Sequence, residues 1–325
     1  MPRETKRILM TGAAGQIGSE LAQALRKKHG RDNVLVTDLV RPPAALAEAG
    51  PFELLDITDR SALDGLIAKF GVDTVYHLAT LLSATGEKNP QKAWDVNMNG
   101  LYNVLETSRA RGLARVFSPS SIAVFGPATP RENTPQDTIL DPRTMYGVTK
   151  VAGELLCDYY VRKYGLDVRG CRYPGIISHM TLPGGGTTDY AVAIFYDAVM
   201  RGRYTCFLRE DTRLPMMYIP DCLKCTLDLM EADFGRLNHH ANFNVTAMSF
   251  TAGEIAAEIR KHIPSFECRY EPDSRQAIAD SWPASIDDST ARAEWDWKPD
   301  YDLAAMTVDM LAALKKRQAA GTLGP

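Results

Sequence analysis

Short apolar runs alternate with amphipathic segments through the first half of the chain. Apolar runs separated by segments with helical spacing are typical of a parallel sheet that is buried on both faces. Because the crossovers between such strands are right-handed, we predict an α/β fold with a doubly wound Rossmann-type sheet. The predicted strands are residues 8–10, 33–37, 74–78, 115–118 and 167–172, and the predicted helices are 16–29, 60–70, about 90–111 and about 145–164.

The pattern changes after Tyr173, where longer loops separate the apolar segments. We predict two domains: residues 1–175, joined by about 241–264, around the sheet, and a second, smaller α/β lobe from about 176–240 and 265–325. The further predicted strands are 204–208 and 242–246, and the further helices are 191–201, 221–232, 252–262 and 303–318.

The composition limits the partners of the chain. A net charge of −3 over 325 residues gives no reason to expect a nucleic acid or an anionic membrane. No apolar run approaches the roughly 20 residues that span a bilayer, and residues 1–10 lack the apolar core of a signal peptide. We therefore expect a cytoplasmic protein with neither nucleic-acid nor membrane partners.

The six cysteines indicate neither a disulfide framework nor a metal site. A chain of this length buries enough apolar surface to fold without disulfides. Cys222 and Cys225 form a C-x-x-C pair, but no second pair or nearby histidine completes four ligands. We expect reduced thiols and no metal.

A glycine-rich turn follows the first predicted strand and opens the first helix. Gly12, Gly15 and Gly18 allow a tight turn and let backbone N–H groups at the helix start approach a pyrophosphate. Asp38 ends the second strand, where a carboxylate binds ribose hydroxyls and repels a 2′-phosphate. Arg41 is the one indication of NADP, and we prefer NAD. Gln16 and Ile17 complete the predicted cofactor residues of this turn.

Two further segments are candidates for the cofactor site. Asp56 and Ile57 follow a short apolar run and are predicted to reach the adenine edge. Leu78 and Ala79 end the third predicted strand, where backbone lines the ligand crevice of such sheets. The neighbouring His77 is interpreted as a packing residue.

The candidate chemistry lies at the end of the fourth strand and at the start of the following helix. Tyr146 and Lys150 share one helical face at i and i+4. An ammonium beside a phenol favours the phenolate, which brings a base with an ordinary pKa of about 10 closer to neutrality. Ser121 follows the strand, with Ser120 as the alternative, and a serine hydroxyl can bind a substrate oxygen.

The glycine motif, Asp38, Ser121 and Tyr146-x-x-x-Lys150 occur in an order that resembles the extended short-chain dehydrogenase/reductases. The resemblance covers nearly the whole chain and implies that Ser121, Tyr146 and Lys150 are catalytic. It also implies that Asn97 supports Lys150 through water. The resemblance adds Tyr146, Lys150, Asn97, Tyr173, Pro174 and Ile176 to the cofactor residues.

Four longer stretches, 143–150, 183–190, 213–219 and 275–283, resemble the short-chain type of L-threonine 3-dehydrogenases. This resemblance implies NAD-dependent oxidation of the β-hydroxyl of L-threonine to L-2-amino-3-oxobutanoate, with the smaller lobe binding the substrate. The glycine run 184–186 suits a hinge or lid that excludes water. The implied substrate contacts are Ser83, Ser121, Tyr146, Gly186, Thr187 and Trp282.

Two other functions compete with this one. A nucleotide-sugar epimerase or dehydratase shares the fold and the serine–tyrosine–lysine set, and Arg213 could bind a diphosphate. A dehydratase needs an acid pair beside the active-site hydroxyl, whereas Ser121 is followed by Ile122 and Ala123. A non-catalytic redox sensor would be expected to lack the tyrosine or the lysine.

Association into a homodimer is predicted from the two long helices, 90–111 and 145–164, because apolar faces on long helices can pair across a two-fold axis. The same faces could instead pack on the sheet. The residues of these faces are Val96, Leu101, Val104, Leu105, Val151, Leu155, Leu156 and Tyr159.

Overall fold

A computed structural model describes residues 5–181, 184 and 186–323 of the chain. Its strands are β1 Ile8–Thr11, β2 Val34–Asp38, β3 Phe52–Leu54, β4 Thr74–His77, β5 Arg115–Phe117, β6 Ser120–Ser121, β7 Val168–Arg169, β8 Cys171–Tyr173, β9 Gly175–Ile177, β10 Arg203–Cys206, β11 Arg213–Tyr218, β12 Phe243–Asn244, β13 Met248–Thr251 and β14 Glu267–Tyr270. Its α-helices are α1 Gln16–His29, α2 Ala44–Ala47, α3 Arg60–Phe70, α4 Ser83–Lys88, α5 Pro90–Trp94, α6 Gly100–Arg111, α7 Met145–Tyr164, α8 Tyr190–Arg201, α9 Ile219–Glu231, α10 Ala252–His262, α11 Arg275–Asp280, α12 Ser289–Trp295 and α13 Leu303–Ala319.

The central sheet is parallel, with the strand order β3-β2-β1-β4-β5-β7. Side chains of β1 alternate between two hydrophobic clusters: Ile8 and Met10 enter one, and Leu9 enters the other. The sheet is therefore buried on both faces, and the predicted Rossmann-type α/β fold is confirmed. Because the strands are parallel, the carboxyl ends of β1, β2 and β4 lie at one edge.

The sheet has an edge strand, β3, that the sequence pattern did not predict. Phe52 pairs with Val36 and Leu54 pairs with Asp38. The strand is three residues long and Glu53 separates its two apolar residues, so the short apolar run before Asp56 was not recognised as a strand. It matters because it borders the end of β2, where Asp38 lies.

The predicted strand 167–172 was wrong in one respect, since it divides at Gly170. Residues before the division stay in the central sheet as β7, and those after it form β8 in a second sheet of order β12-β8-β6. A Cβ at position 170 would lie 2.0 Å from the carbonyl oxygen of Ser118. Only glycine allows this approach, which places Ser120 beside Arg172 and Ser121 beside Tyr173 in a parallel pair.

The predicted helix 90–111 is interrupted by a π-helical turn, Asp95–Asn99, between α5 and α6. Such turns insert an extra residue into a helix and are frequent at functional sites. Here the turn carries Asn97, which donates to Leu81 O (3.1 Å) and to Thr149 Oγ1 (3.1 Å). It thus ties the segment after β4 to α7.

Two further small sheets have the strand orders β13-β11-β9 and β10-β14. The strands predicted at 204–208 and 242–246 correspond to β10 and β12, whereas β9, β11, β13 and β14 were missed. The division into two domains stays a prediction. Within residues 5–181, 184 and 186–323, no helix is long and apolar enough to cross a membrane.

Candidate active site

The glycine turn brings the start of α1 close to the end of β4. Gly12 has a φ of +71°, and a Cβ there would lie 2.6 Å from the backbone nitrogen of Ala79. A Cβ on Gly18 would lie 2.1 Å from Gly12 O. Gly15 precedes α1 without a side-chain cap, so N–H groups at the helix start are available to a ligand.

Asp38 lies at the edge of this turn. Its Oδ2 accepts a hydrogen bond from Ala14 N (2.8 Å), and its Oδ1 accepts one from Val40 N (3.3 Å). The guanidinium carbon of Arg41 lies 6.0 Å from the centre of the Phe52 ring. These contacts hold a carboxylate beside the loop that follows β1.

Asp56 and Ile57 are anchored in the loop after β3. Asp56 Oδ1 accepts hydrogen bonds from Thr58 N (2.9 Å) and Thr58 Oγ1 (2.7 Å), which lower the pKa of Asp56. Ile57 is buried, and a Cβ on Gly100 would lie 2.9 Å from its Cγ2. Neither residue is among the described residues that line the large cleft at the carboxyl edge of the sheet, so their contact with adenine stays a prediction.

An open cleft with about 1090 Å³ of empty space runs from the glycine turn across the carboxyl edge of the sheet. It brings together most of the residues singled out from the sequence, although they come from separate segments. Its lining includes Gly12, Gly15, Gln16, Ile17, Gly18, Leu78, Ser83, Ser120, Ser121, Tyr146, Lys150, Tyr173, Pro174, Ile176, Gly186, Thr187 and Trp282.

Tyr146 and Ser121 meet on the floor of the cleft. Thr144 caps α7 by accepting a hydrogen bond from Gly147 N (3.0 Å). A Cβ on Gly147 would lie 2.2 Å from Ala123 O, so the helix starts directly against the segment after β6. The Tyr146 hydroxyl is hydrogen-bonded to Ser121, whose Oγ accepts from Ala123 N (3.2 Å).

Lys150 lies one turn further along α7. Its Nζ donates to Pro119 O (2.7 Å) and is 5.5 Å from the centre of the Tyr146 ring. Burial lowers the pKa of Lys150 to about 8, and Cys157 and Glu154 oppose that shift. Burial raises the pKa of Tyr146 to about 12, although the bond with Ser121 lowers it. At neutral pH the phenol is therefore protonated and the amine is mostly charged.

A small internal cavity lies behind Lys150 and is lined by polar groups of several elements. Asn97 and His77 both face it, together with Ala79. His77 is hydrogen-bonded to Thr11 Oγ1 (2.9 Å), and burial lowers its pKa to about 3, so it is neutral. Asn97 and Lys150 line the same space, and the water that would link them stays a prediction.

The far wall of the cleft is formed by residues predicted to contact the substrate. Thr187 is 2% exposed and precedes α8, while Trp282 is 6% exposed and follows α11. Gly186 N donates to Asp189 Oδ2 (2.5 Å), and Ser83 starts α4. Residues 182, 183 and 185 lie outside the described residues, so the predicted hinge at 184–186 is described only in part.

Two charged residues behind Ser120, Glu154 and Arg172, were not predicted from the sequence as part of the site. The Ser120 hydroxyl donates to Glu154 Oε1 (2.5 Å), and Arg172 binds both oxygens of that carboxylate. The i+4 spacing of Glu154 from Lys150 was the available signal, because it places a second charged group one turn along the helix. The partner Arg172 lies too far along the chain to be inferred from spacing.

The cofactor end of the cleft fits a dinucleotide. Side chains at Gly12 and Gly18 would fill the space where backbone segments meet. Gln16 Nε2 is buried without a hydrogen-bond partner among the described residues, and Gln16 lines the cleft. A polar ligand at the start of α1 would satisfy this donor.

Residues 8–245 match the family described as the NAD dependent epimerase/dehydratase family. An uncharacterized epimerase/dehydratase of Staphylococcus haemolyticus is 53% identical over 315 residues, which cover 96% of this chain and 99% of the relative. The holo form of an L-threonine dehydrogenase from Cupriavidus necator is 55% identical, with a TM-score of 0.93 and coverage of 95% of this chain and 100% of that one.

A third protein, described as a monomeric L-threonine 3-dehydrogenase from a metagenome, is 50% identical, with a TM-score of 0.92. The alignment covers 95% of this chain and 99% of that one. The family match, over residues 8–245, spans the glycine turn and the Ser121–Tyr146–Lys150 group. The chain therefore belongs to the NAD-dependent epimerase/dehydratase family, and its cofactor is NAD.

Proposed function

We propose that this chain is an oxidoreductase that converts L-threonine to L-2-amino-3-oxobutanoate. The observation that carries the proposal is the position of the Tyr146 hydroxyl. It is bonded to Ser121 beside Lys150, on the floor of a cleft that also contains Thr187 and Trp282. The high identity to the two L-threonine dehydrogenases described above, over nearly the whole chain, supports this substrate.

Each of the three floor residues has a separate role in the proposed reaction. Tyr146 takes the proton of the β-hydroxyl as the C–O bond becomes a carbonyl. Lys150 stabilises the phenolate by its charge and holds the ribose next to the nicotinamide. Ser121 orients the reacting oxygen and stabilises the charge that develops on it. NAD, when bound, accepts the hydride from the β-carbon.

The far wall holds the amino-acid part of the substrate. The hydroxyls of Ser83 and Thr187 and the backbone at Gly186 supply hydrogen-bonding groups for the charged ends of threonine. Trp282 covers the substrate and excludes water from the reacting carbon. The adenosine half of NAD lies along Asp38 and the glycine turn in this proposal, with Asp56 and Ile57 beyond them.

A nucleotide-sugar epimerase is the alternative that the experiment must separate. Arg213, the residue that could bind the diphosphate of a nucleotide sugar, already has partners within the protein. It donates to Glu254 Oε1 (2.6 Å) and Ser249 O (2.8 Å). It is also absent from the described lining of the cleft. These contacts favour the amino-acid substrate.

The test is NADH formation from NAD with L-threonine, beside L-serine, L-allo-threonine and a nucleotide sugar. Rapid NADH formation with L-threonine supports the proposal. Protein that co-purifies with NAD, ignores the amino acids and interconverts the nucleotide sugar without releasing NADH would establish the epimerase instead.

We also propose that the enzyme is a cytoplasmic homodimer. All six cysteines are free thiols, which suits a reducing compartment. On the predicted dimer face, Leu155 and Tyr159 of α7 are 66% and 50% exposed. Tyr102 of α6, which was not among the predicted residues of that face, is 46% exposed. A second copy that packs on α6 and α7 would cover these exposed side chains.

A further inference from the structure

Four consecutive residues, 118–121, connect the end of β5 to different parts of the structure. Ser118 N donates to Arg169 O (2.8 Å), and Pro119 O accepts from Lys150 Nζ (2.7 Å). Ser120 lines the cleft, but its hydroxyl donates to the buried Glu154 (2.5 Å). Ser121 faces Tyr146. The segment therefore alternates between contacts to the active site and contacts that hold the segment in place.

The acceptor of the Ser120 hydroxyl is itself fixed. Glu154 is 6% exposed, and Arg172 donates to its Oε1 (2.9 Å) and Oε2 (2.8 Å). Arg172 also donates to Gln136 O (2.9 Å) and Asn244 Oδ1 (3.1 Å). Because the ion pair has these other partners, it is held without Ser120.

The backbone alone gives this segment little support. Strand β6 consists of Ser120 and Ser121 and has one neighbour, β8, in the described sheet. Tyr146 and Lys150 belong to α7, and Glu154 lies one turn after Lys150 on the same helix. A side-chain bond from Ser120 to α7 therefore links the segment that carries Ser121 to the helix that carries Tyr146.

We propose that Ser120 and Glu154 are positioning residues that hold the Ser121 hydroxyl and the Pro119 carbonyl against Tyr146 and Lys150. This inference rests on the proposed function. The carboxylate adds an electrostatic effect, since Glu154 raises the pKa of Lys150 against the effect of burial and so favours the charged amine. Because the Ser120 hydroxyl is bonded to Glu154, its proposed action is through Ser121 and not on the substrate.

The experiment removes the hydroxyl alone, as Ser120→Ala, because the Glu154–Arg172 pair then remains. Ser108→Ala is the matched control, since its buried hydroxyl on α6 has no partner among the described residues. We expect Ser120→Ala to lower kcat for threonine by about ten- to a hundredfold, since small displacements in an active site cost that much. KM and NAD affinity should remain close to those of Ser108→Ala, and Tm should fall only modestly, because one buried hydrogen bond is lost.

Two further measurements separate positioning from a general structural effect. Ser120→Thr retains a hydroxyl at this position, and we expect it to keep most of kcat. Hydrogen exchange, measured without substrate, should rise in residues 118–122 of Ser120→Ala and stay unchanged in Ser108→Ala.

The inference is overturned if kcat of Ser120→Ala equals that of Ser108→Ala. It is also overturned if the lower kcat of Ser120→Ala is accompanied by matching losses of Tm and NAD affinity. A wild-type protein that does not oxidise threonine would refute the proposed function separately. In that case the exchange measurement decides: unchanged protection of residues 118–122 in Ser120→Ala overturns the positioning role, and increased exchange supports it.

Discussion

The Nζ of Lys150 lies 5.5 Å from the centre of the Tyr146 ring and is bonded to Pro119 O. The ammonium is thus held beside the phenol by a neutral carbonyl rather than by a carboxylate that would cancel its charge. Burial moves the pKa of Tyr146 up and that of Lys150 down, so both groups are least stable in their charged forms. Their opposite charges stabilise one another when Tyr146 loses its proton.

This pairing predicts a specific pH profile. The phenolate is the active base, so kcat/KM should rise about tenfold per pH unit below about 8. Above about 8, the uncharged amine of Lys150 predominates. The active pair of phenolate and ammonium then contains the same number of protons as the predominant pair of phenol and amine, so the rate should level off. In Lys150→Arg, whose charge persists, the plateau should move to higher pH. A profile that falls between about pH 6 and 8 would contradict this account.

We expect alanine to have opposite effects at Gly18, in the glycine turn, and at Gly65, in α3. Gly18→Ala places a Cβ 2.1 Å from Gly12 O, so the turn must move; we expect NAD affinity to fall by at least about tenfold, with a lower Tm. Gly65→Ala in α3 meets no described atom within 4 Å and should stabilise the protein by about 0.5–1 kcal/mol. NAD titration and thermal unfolding measure both, and an unchanged NAD affinity in Gly18→Ala would refute the close approach.

We expect the buried hydroxyl of Thr187, in the far wall, to contribute to binding of the substrate and not to binding of the cofactor. Thr187→Val removes the hydroxyl and keeps the shape, and we expect KM for L-threonine to rise about ten- to a hundredfold, because a hydrogen bond to a charged group is lost. KM for NAD should not change. Thr107→Val is the control, since its hydroxyl is buried without a partner among the described residues. Equal kinetics in the two variants would exclude Thr187 from the substrate site.

The exposed apolar surface on α6 and α7 predicts association. Leu155→Asp should convert a dimer into a monomer, because the interface would bury a carboxylate from each copy. Val308→Asp on α13 is the control, since Val308 is 53% exposed on another helix. Light scattering after gel filtration measures the mass. A monomeric wild-type protein, or a dimer that survives Leu155→Asp, would contradict the predicted interface.

The sequence identified the parts of the structure in which local pattern and tertiary structure agree. Apolar runs predicted the central strands, and the glycine spacing predicted the turn before α1. The edge strand β3 was missed because it is only three residues long and Glu53 interrupts its apolar residues, and the division at Gly170 was missed because it depends on the distant Ser118 carbonyl.

The two helix faces show a similar limit. Leu101, Val104 and Leu105 of the predicted dimer face pack instead in the core, whereas Leu155 and Tyr159 are exposed. Helical spacing identifies an apolar face, but it does not tell whether the sheet or a second copy covers it. The Glu154–Arg172 pair behind Ser120 was missed for the same reason, since residues 18 positions apart meet only through the fold.

The most direct test of the central claim compares NADH formation from NAD and L-threonine in the wild-type protein and in Tyr146→Phe, with NAD binding measured in both. We expect the wild-type protein to form NADH and Tyr146→Phe to lose at least about a hundredfold in kcat, because the base is removed. NAD affinity should be retained, which would show that the site is intact. Oxidation of threonine by Tyr146→Phe at the wild-type rate would contradict the account.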